Sequence, residues 1–479
     1  MTDLTPREPK RPLFWSDAIL DLQDRLLDDP VTIYAVGGAV RDAYLHRPIK
    51  DLDLATPDGA ISLARRIARA LDADIFVLDA ERDVARVLWE TPDGKLVIDV
   101  ARFRQPTLLE DLQDRDFTLN ALAVDFKGDL ALLIDPLDGE TDLLAKRIRR
   151  CAPLAIAKDP IRALRAVRQS AQLKFRVDAE TLTEMRTYGV RLSETSPERV
   201  RDELFKVLEL PKPGGALRVA AHLGLLAVIM PTLMTRFATN DSEHDWEAAL
   251  LLLDKLYAML ATISVTRTDN TAANFELGVM VVQVDRHRAK LNEQLALQWA
   301  NDRSHRALLI LAGLLTIAAP GDAALAEAQA DGLRLSNAEK QRLAQIVQHS
   351  DHPSLTAAYS PLSAHRFWYT LEEVGVDVLL LTLARYLSHH HLYLVQRAWL
   401  TQIEHTGALL NAYYDQHAAL VSPPPLLDGN QLQEALAIKP GPVIGKLLTH
   451  LREAQVEGRI HTAEEALAAA QAYLAAPPA

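Results

Sequence analysis

A chain of 479 residues with a formal net charge of −12, 49% hydrophobic residues, 24% charged residues and one cysteine has the make-up of a soluble globular protein. Its length supports about three or four domains of roughly 100–150 residues. The lone Cys151 excludes an internal disulfide framework and suits a reducing cytoplasm, and the negative balance excludes nucleic-acid binding through the whole surface, leaving RNA contact to local basic patches.

The N-terminus is charged and broken by prolines, unlike a signal peptide, and residues 1–30 read as a loose leader with one short helix from Trp15 to Leu27. From Val31 the pattern turns mixed α/β. Val31 to Val36 reads as a buried strand, Gly37-Gly38 as a tight turn and Ala39 to Leu45 as the start of a helix. Glycines there let backbone approach a ligand, the N–H groups of the helix start favour an anion such as a triphosphate, and Arg41 adds a bidentate phosphate contact. A strand follows in which alternation places Asp51 and Asp53 on one face and Leu52 and Leu54 on the other. Two carboxylates so close repel unless a cation lies between them, and in phosphoryl transfer that cation is Mg²⁺. A Gly-Gly hairpin and a solvated Asp pair on an edge strand are the plainer alternatives for the two halves.

A helix at Ile61 to Leu71 precedes strands at Asp74 to Leu78, Val84 to Trp89 and Leu96 to Val100, with further β-like runs at Ala121 to Phe126 and Leu130 to Ile134. Asp99 stands in an otherwise apolar strand. Either it faces water at an edge, or it needs a metal or cation partner and completes a three-carboxylate cup with Asp51 and Asp53. Two basic patches, Lys146 to Arg150 and the series Arg162, Arg165 and Arg168, are the places for RNA.

Beyond Asp159 nearly every periodic segment is helical. Breaks at Pro211 to Gly215 and Val421 to Pro425 read as linkers, giving a head over 31–150, a neck over 151–215, a body over 216–420 and a tail over 421–479. The longest apolar run, Ala307 to Pro320, is shorter than the ~18 residues of a membrane span, so no membrane partner is expected. Gly441 to Leu447 resembles a phosphate loop, but its glycines are one residue too close and no Ser or Thr follows Lys446, so it reads as a turn and helix start.

The motif order carries a family resemblance. Gly37-Gly38-x-Val40-Arg41-Asp42, Asp51-x-Asp53, the run Asp114 to Ala121, Asp135 to Leu143, Asp159-Pro160-Ile161-Arg162 with Arg165 and Arg168, and Ser196 to Lys206 resemble the motif series of the class II tRNA nucleotidyltransferase and bacterial poly(A) polymerase family. The resemblance implies an α+β chain: a nucleotidyltransferase α/β head, then an all-helical neck, body and tail that hold nucleotide and RNA. It implies catalytic Asp51 and Asp53 with Mg²⁺ on both, to which the reading of the strand adds Asp99 as the third catalytic carboxylate. Gly37, Gly38, Arg41, Arg115 and Asn120 would bind nucleotide, Asp159 and Arg162 would read the base edge, and Arg165 and Arg168 would line the pocket. The partners implied are the 3′ end of tRNA, CTP and ATP, and the oligomeric state stays open.

The residues agree with that base-reading role, since Asp159 and Arg162 are three apart and share a helix face. They offer an acceptor for an exocyclic amino group and donors for ring acceptors, features that C and A share. Taken without the resemblance, Asp159 is equally an N-cap ahead of Pro160 and the arginines a solvated face. Lys158 departs from the family's acidic residue at that position, which bears on nucleotide choice. The body resembles a region where relatives carry a His-Asp phosphohydrolase pair. Here Leu314 to Pro320 has no His or Asp, His244-Asp245 lacks ligands at helical spacing, and His389 to His391 read as surface histidines. The body therefore reads as a structural, RNA-holding remnant. CCA addition to tRNA is the leading expectation. An A-only enzyme or poly(A) polymerase is its rival, and a silent RNA-binding paralogue is disfavoured by the retained carboxylates.

Overall fold

The computed structural model describes residues 4–239, 242–264, 275–356 and 358–475. The chain is α+β, with one mixed sheet near its N-terminus and helices after it. It divides into two compact units, 1–196 with 219–228, and 197–218 with 229–479. The neck expected over 151–215 is therefore shared between the units, and the expected linker at 211–215 contains the start of a helix, Pro213–His222.

In the first unit the sheet runs in the order β3-β4-β5-β2-β1-β6, where β1 is Tyr34–Val36, β2 Asp51–Thr56, β3 Asp74–Asp79, β4 Val84–Thr91, β5 Gly94–Arg102 and β6 Ala123–Asp125. Pro92-Asp93 closes the β4–β5 hairpin, proline presetting the turn and Gly94 taking the positive φ of 111° that follows it. β2 lies parallel to β5 and antiparallel to β1, so the short strand of the glycine turn is clamped between its neighbours. Helices α1 (Asp17–Leu26), α2 (Gly38–Tyr44) and α3 (Ala60–Leu71) follow in the same unit. α3 buries Leu63, Ile67 and Leu71 at helical spacing. Full burial of Leu52, Leu54 and Ile98 anchors the central strands, each side chain contributing about 1.5–3 kcal/mol.

Two expectations change here. Leu130 to Ile134 forms no strand and makes only isolated bridges, Leu133 with Arg7 and Ile134 with Ala123. The leader, expected to be loose, is tied to the head. Arg7 exchanges backbone hydrogen bonds with Leu133 and pairs with Glu140 and Asp135 at 2.7 and 3.3 Å, while the Trp15 indole N–H donates to Leu130 O at 3.0 Å. Buried carboxylates on the head demanded a cation, and the leader supplies it.

The second unit is helical. The helices Ser242–Ile263, His305–Ala318 and Val374–His389 pack through leucines buried on every side, including Leu314 and Leu315 of the expected remnant. A separate cluster of Leu432, Leu447, Leu451, Ala454 and Ile460 forms the core of the tail. Gly441 is the N-cap of the helix Pro442–Val456, so the near-phosphate-loop sequence is a turn and helix start. Among the described residues no helix is long and apolar enough to cross a membrane.

Candidate active site

Alternation on β2 puts Asp51 and Asp53 on the face opposite the buried Leu52 and Leu54. Asp53 lies opposite Val36 on β1, directly beside the glycine turn. Burial pushes its carboxyl up to about 6. Arg115 opposes the rise, while Asp99 and Asp51 add to it. On the parallel neighbour Asp99 is in register with Asp53, but Arg86 on β4 stands directly across from it and donates to both its oxygens at 2.8 and 2.9 Å. The cation that a carboxylate in an apolar strand requires is thus a guanidinium. Asp51, Asp53 and Asp99 lie on two neighbouring strands, with Asp99 held by Arg86.

Gly37 has φ 76°, and a Cβ on it would lie 2.8 Å from Arg115 Nη1 and 3.1 Å from Asp53 Oδ2. A glycine here lets a guanidinium and a carboxylate close onto bare backbone. Gly38 begins α2, and Arg41 folds back beside it, its Nη2 3.5 Å from where a Gly38 Cβ would stand. Asp42 accepts from Arg41 Nε and Nη2 at 3.0 and 2.8 Å, and Asn120 Oδ1 accepts from Nη1 at 2.7 Å. The Asn120 amide donates in turn to Asp116 at 2.9 Å and to Gln169 Oε1 at 3.1 Å. Burial would raise the Asp116 carboxyl, but Arg165, 3.6 Å away, the Asn120 amide, the Phe117 N–H and Arg162 outweigh it and hold it below its usual range.

Arg115 pairs with buried Asp111 at 3.3 Å, and its Nε is buried without a hydrogen-bond partner. Asp111 also accepts from the backbone N–H of Arg104 at 2.8 Å. The Arg104 guanidinium is held below its usual value by burial and by Arg115 and Arg165, with Asp111 and Asp114 opposing. Three guanidiniums crowded together in this way form a wall that favours an anion.

The neck helix α7 (Ile161–Leu173) follows four short helices, α4 (Leu108–Gln113), α5 (Gly139–Leu144) and α6 (Ala155–Lys158) among them, with α2 the earliest. Asp159 is the C-cap of α6 rather than an N-cap, and exposed Lys158 is that helix's last residue. Arg162 Nε lies 3.9 Å from Asp159 Oδ2. The arginine is only 7% exposed, and its guanidinium donates to Asp114 O at 2.5 Å and Ala155 O at 3.4 Å. Arg165 faces Asp116, and Arg168 donates to Gln172 at 3.1 Å.

The stretch Lys146 to Arg150 is not an open basic patch. Asp142, fully buried, accepts from Arg147 Nε at 2.6 Å, from Arg149 Nε at 2.8 Å and from the Thr118 hydroxyl at 2.6 Å, while Arg150 pairs with Glu184 and Glu180. The motif Asp135 to Leu143 is likewise a fastening. Asp135 accepts from the N–H groups of Gly139 and Glu140, and a Cβ on Gly139 would meet Thr118 O at 2.3 Å.

In the second unit His305, Arg342 and Asp377 form a buried cluster. Asp377 Oδ1 is 2.8 Å from His305 Nε2, and Oδ2 accepts from Arg342 Nε at 2.6 Å. His244 lies on the helix Ser242–Ile263, with its side chain outside the described residues. His389 ends the helix Val374–His389.

Sequence reasoning missed Arg104, Asp116 and Gln169 as members of the site. Gln169 had a signal, since it stands four after Arg165 and shares that arginine's helix face. Asp116 had one in its place within the Asp114 to Ala121 motif, whereas Arg104 had none beyond its type, because its place depends on how strand ends meet the neck.

The sequence matches profiles for the poly A polymerase head domain over residues 33–149, the RNA- and SrmB-binding region of polymerase A over 174–236 and tRNA nucleotidyltransferase domain 2 over 376–470. It is 31% identical to the CC-adding tRNA nucleotidyltransferase of Synechocystis sp., covering 91% of this chain and 92% of the relative. It is 29% identical to the A-adding tRNA nucleotidyltransferase of Deinococcus radiodurans, covering 92% and 96%. Its fold is similar to that of a CCA-adding enzyme solved with ATP, with a TM-score of 0.61 at 21% identity over 96% of each chain.

Proposed function

This chain belongs to the class II tRNA nucleotidyltransferase and bacterial poly(A) polymerase family, and we propose that it adds CMP and AMP, without a template, to the 3′ end of tRNA from CTP and ATP. One observation carries the reading: the Asp51 and Asp53 face lies against the Gly37 turn with Arg115 beside it. A carboxylate face next to a guanidinium wall is what transfer of a nucleotidyl group from a triphosphate needs.

Asp51 and Asp53 present hard oxygen donors on one face, a set that fits Mg²⁺. When bound, such an ion favours ionisation of the attacking hydroxyl and offsets phosphate charge. The chain's own residues orient the nucleotide. Arg41, Arg104, Arg115 and Arg165, with the backbone of Gly37 and Gly38, take up the triphosphate's negative charge. Asn120, fixed by Asp116 and Gln169, holds Arg41 in place. Asp159 and Arg162 read the base edge, Arg168 closes the pocket, and the exposed Lys158 biases Asp159 between C and A. Asp99 acts through Arg86 and its place opposite Asp53. The head, neck, body and tail divide the work between chemistry and RNA, and the reaction belongs in the cytoplasm, where tRNA is processed.

The names of the similar proteins favour a second reading, in which the chain adds only one of the two nucleotides. Both are tested by incubating the protein and Mg²⁺ with tRNA lacking CCA and with tRNA ending in CC, each with one labelled nucleotide. Full CCA activity incorporates C into the first and A into the second. C alone, or A on the CC-ended tRNA alone, selects a partial enzyme, and a long A tract selects a poly(A) polymerase. No incorporation into either would leave a silent paralogue and defeat the proposal. Asp53→Asn is expected to abolish incorporation while leaving tRNA affinity intact, because the lost carboxylate serves chemistry alone.

A further inference from the structure

The short helix α6 is held from one side by a residue with no role in the reaction as described so far. α8 (Ala179–Tyr188) packs in the same unit, and from it Glu184, 8% exposed, turns its carboxylate onto the N-terminus of α6. Glu184 Oε1 accepts from the Leu154 N–H at 2.7 Å and Oε2 from the Ile156 N–H at 3.2 Å. The carboxylate in turn faces Arg150, whose Nε lies 2.8 Å from Oε1. Arg150 itself is located by its backbone N–H, which donates to the buried Thr181 hydroxyl at 3.0 Å.

What the clamp holds is not self-supporting. Leu154 has φ 61° and ψ 20°, a left-handed conformation that a branched side chain resists, and its side chain is 51% exposed, so packing does not enforce it. The hydrogen bond to Glu184 does. α6 has four residues, too few to be stable alone, and its C-cap is Asp159. Arg162 donates back to Ala155 O at the first turn of α6 and to Asp114 O. A shift at the start of α6 therefore moves the Asp159 carboxylate and one acceptor of Arg162 together.

We propose that Glu184 is a positioning residue for nucleotide selection, its clamp on Leu154 and Ile156 setting where Asp159 and Arg162 meet the base. The proposal rests on the reading of Asp159 and Arg162 as the base-reading pair. Glu184 touches no substrate, so its removal should act on binding and selection more than on chemistry.

The experiment measures kcat and KM for CTP on tRNA lacking CCA and for ATP on tRNA ending in CC, and incorporation of UMP and GMP on both. Glu184→Ala should raise KM for CTP and ATP about ten- to a hundred-fold and weaken the bias against UMP, with kcat changed less. Glu184→Gln sets an amide N–H against a backbone N–H and should fall between the wild type and Glu184→Ala. Glu180→Ala, which removes only the exposed outer partner of Arg150, should do neither. A uniform drop in kcat for all four nucleotides, with KM and ranking unmoved, would make Glu184 merely structural and overturn the proposal. Should Glu184→Ala fail to fold, the same readouts on Glu184→Gln decide. Arg162→Ala separates the two ways of failing. An unchanged ranking there defeats the base-reading assignment and this inference with it, whereas relaxed ranking with Arg162→Ala but not with Glu184→Ala defeats the positioning role alone.

Discussion

At Gly37 a positive φ and two charged neighbours meet on one Cα, and each alone would ask for glycine. Gly37→Ala places a methyl group 2.8 Å from Arg115 Nη1, tighter than carbon and nitrogen tolerate, at a φ of 76° and ψ of −134° that only glycine adopts readily and that costs an L-residue about 1–3 kcal/mol. The variant should lose a small part of its stability and most of its nucleotide addition, since Arg115 must leave its place beside Asp53. Thermal melts paired with incorporation assays check this, and wild-type incorporation by Gly37→Ala would refute the geometry. Gly37, Asp51 and Asp53 were legible in the sequence because turn chemistry and strand alternation are local rules. Asp99 was legible as a carboxylate needing a cation, but not as the partner of Arg86, because only the β4–β5 register sets those two side by side. Asp159 and Arg162 were legible as neighbours. That Arg162 is buried with two backbone carbonyls was not, since both acceptors arrive from tertiary contact.

Among the elements, the helices His305–Ala318, Asn337–Gln348 and Val374–His389 each give one member to the buried charge cluster of the second unit. Asp377 is fully buried between His305 and Arg342. Burial raises its carboxyl, but the charge and hydrogen bonds of His305 and Arg342 prevail and hold it below the usual aspartate range. A carboxylate with a depressed folded value contributes stability that is present above its unfolded value, near 4, and is lost as pH falls through the folded value. Asp377→Asn keeps the shape and removes the charge, leaving the buried Arg342 with only the exposed Glu373, 3.1 Å away, as a counter-ion, a loss toward the lower end of about 3–5 kcal/mol at neutral pH. The melting temperature of the variant should thus lie well below wild type at pH 7, and the gap should narrow below about pH 4. A gap constant from pH 7 to pH 3 would refute it. The all-helical character of this region was legible from leucine spacing. The cluster was not, because its members are drawn from positions 305, 342 and 377 and no local pattern links them.

For the whole molecule, a net charge of −12 leaves RNA attraction to local groups, and counting arginines in the sequence overstates how many are available. Arg147 and Arg149 converge on the fully buried Asp142, and Arg149 also donates to Leu137 O at 2.8 Å. A guanidinium held by a buried carboxylate cannot neutralise a phosphate without stranding that carboxylate, at a cost of several kcal/mol. The two roles differ in what salt does to them. Each phosphate contact removed lowers the dependence of log K on log salt concentration by about 0.7–0.9, whereas loss of an internal pair leaves that slope alone and lowers stability. Arg149→Ala should therefore reduce the melting temperature and leave both tRNA affinity and its salt slope near wild type, when measured between 50 and 200 mM salt, a range of roughly that used to expose counterion release. The same should hold for Arg147→Ala, with a smaller loss of stability because the Arg149 bonds to both Asp142 and Leu137 O remain. A slope reduced by close to one unit in either variant would mean that the Lys146 to Arg150 stretch leaves Asp142 to bind RNA, and that its pairing in the free protein is a resting state.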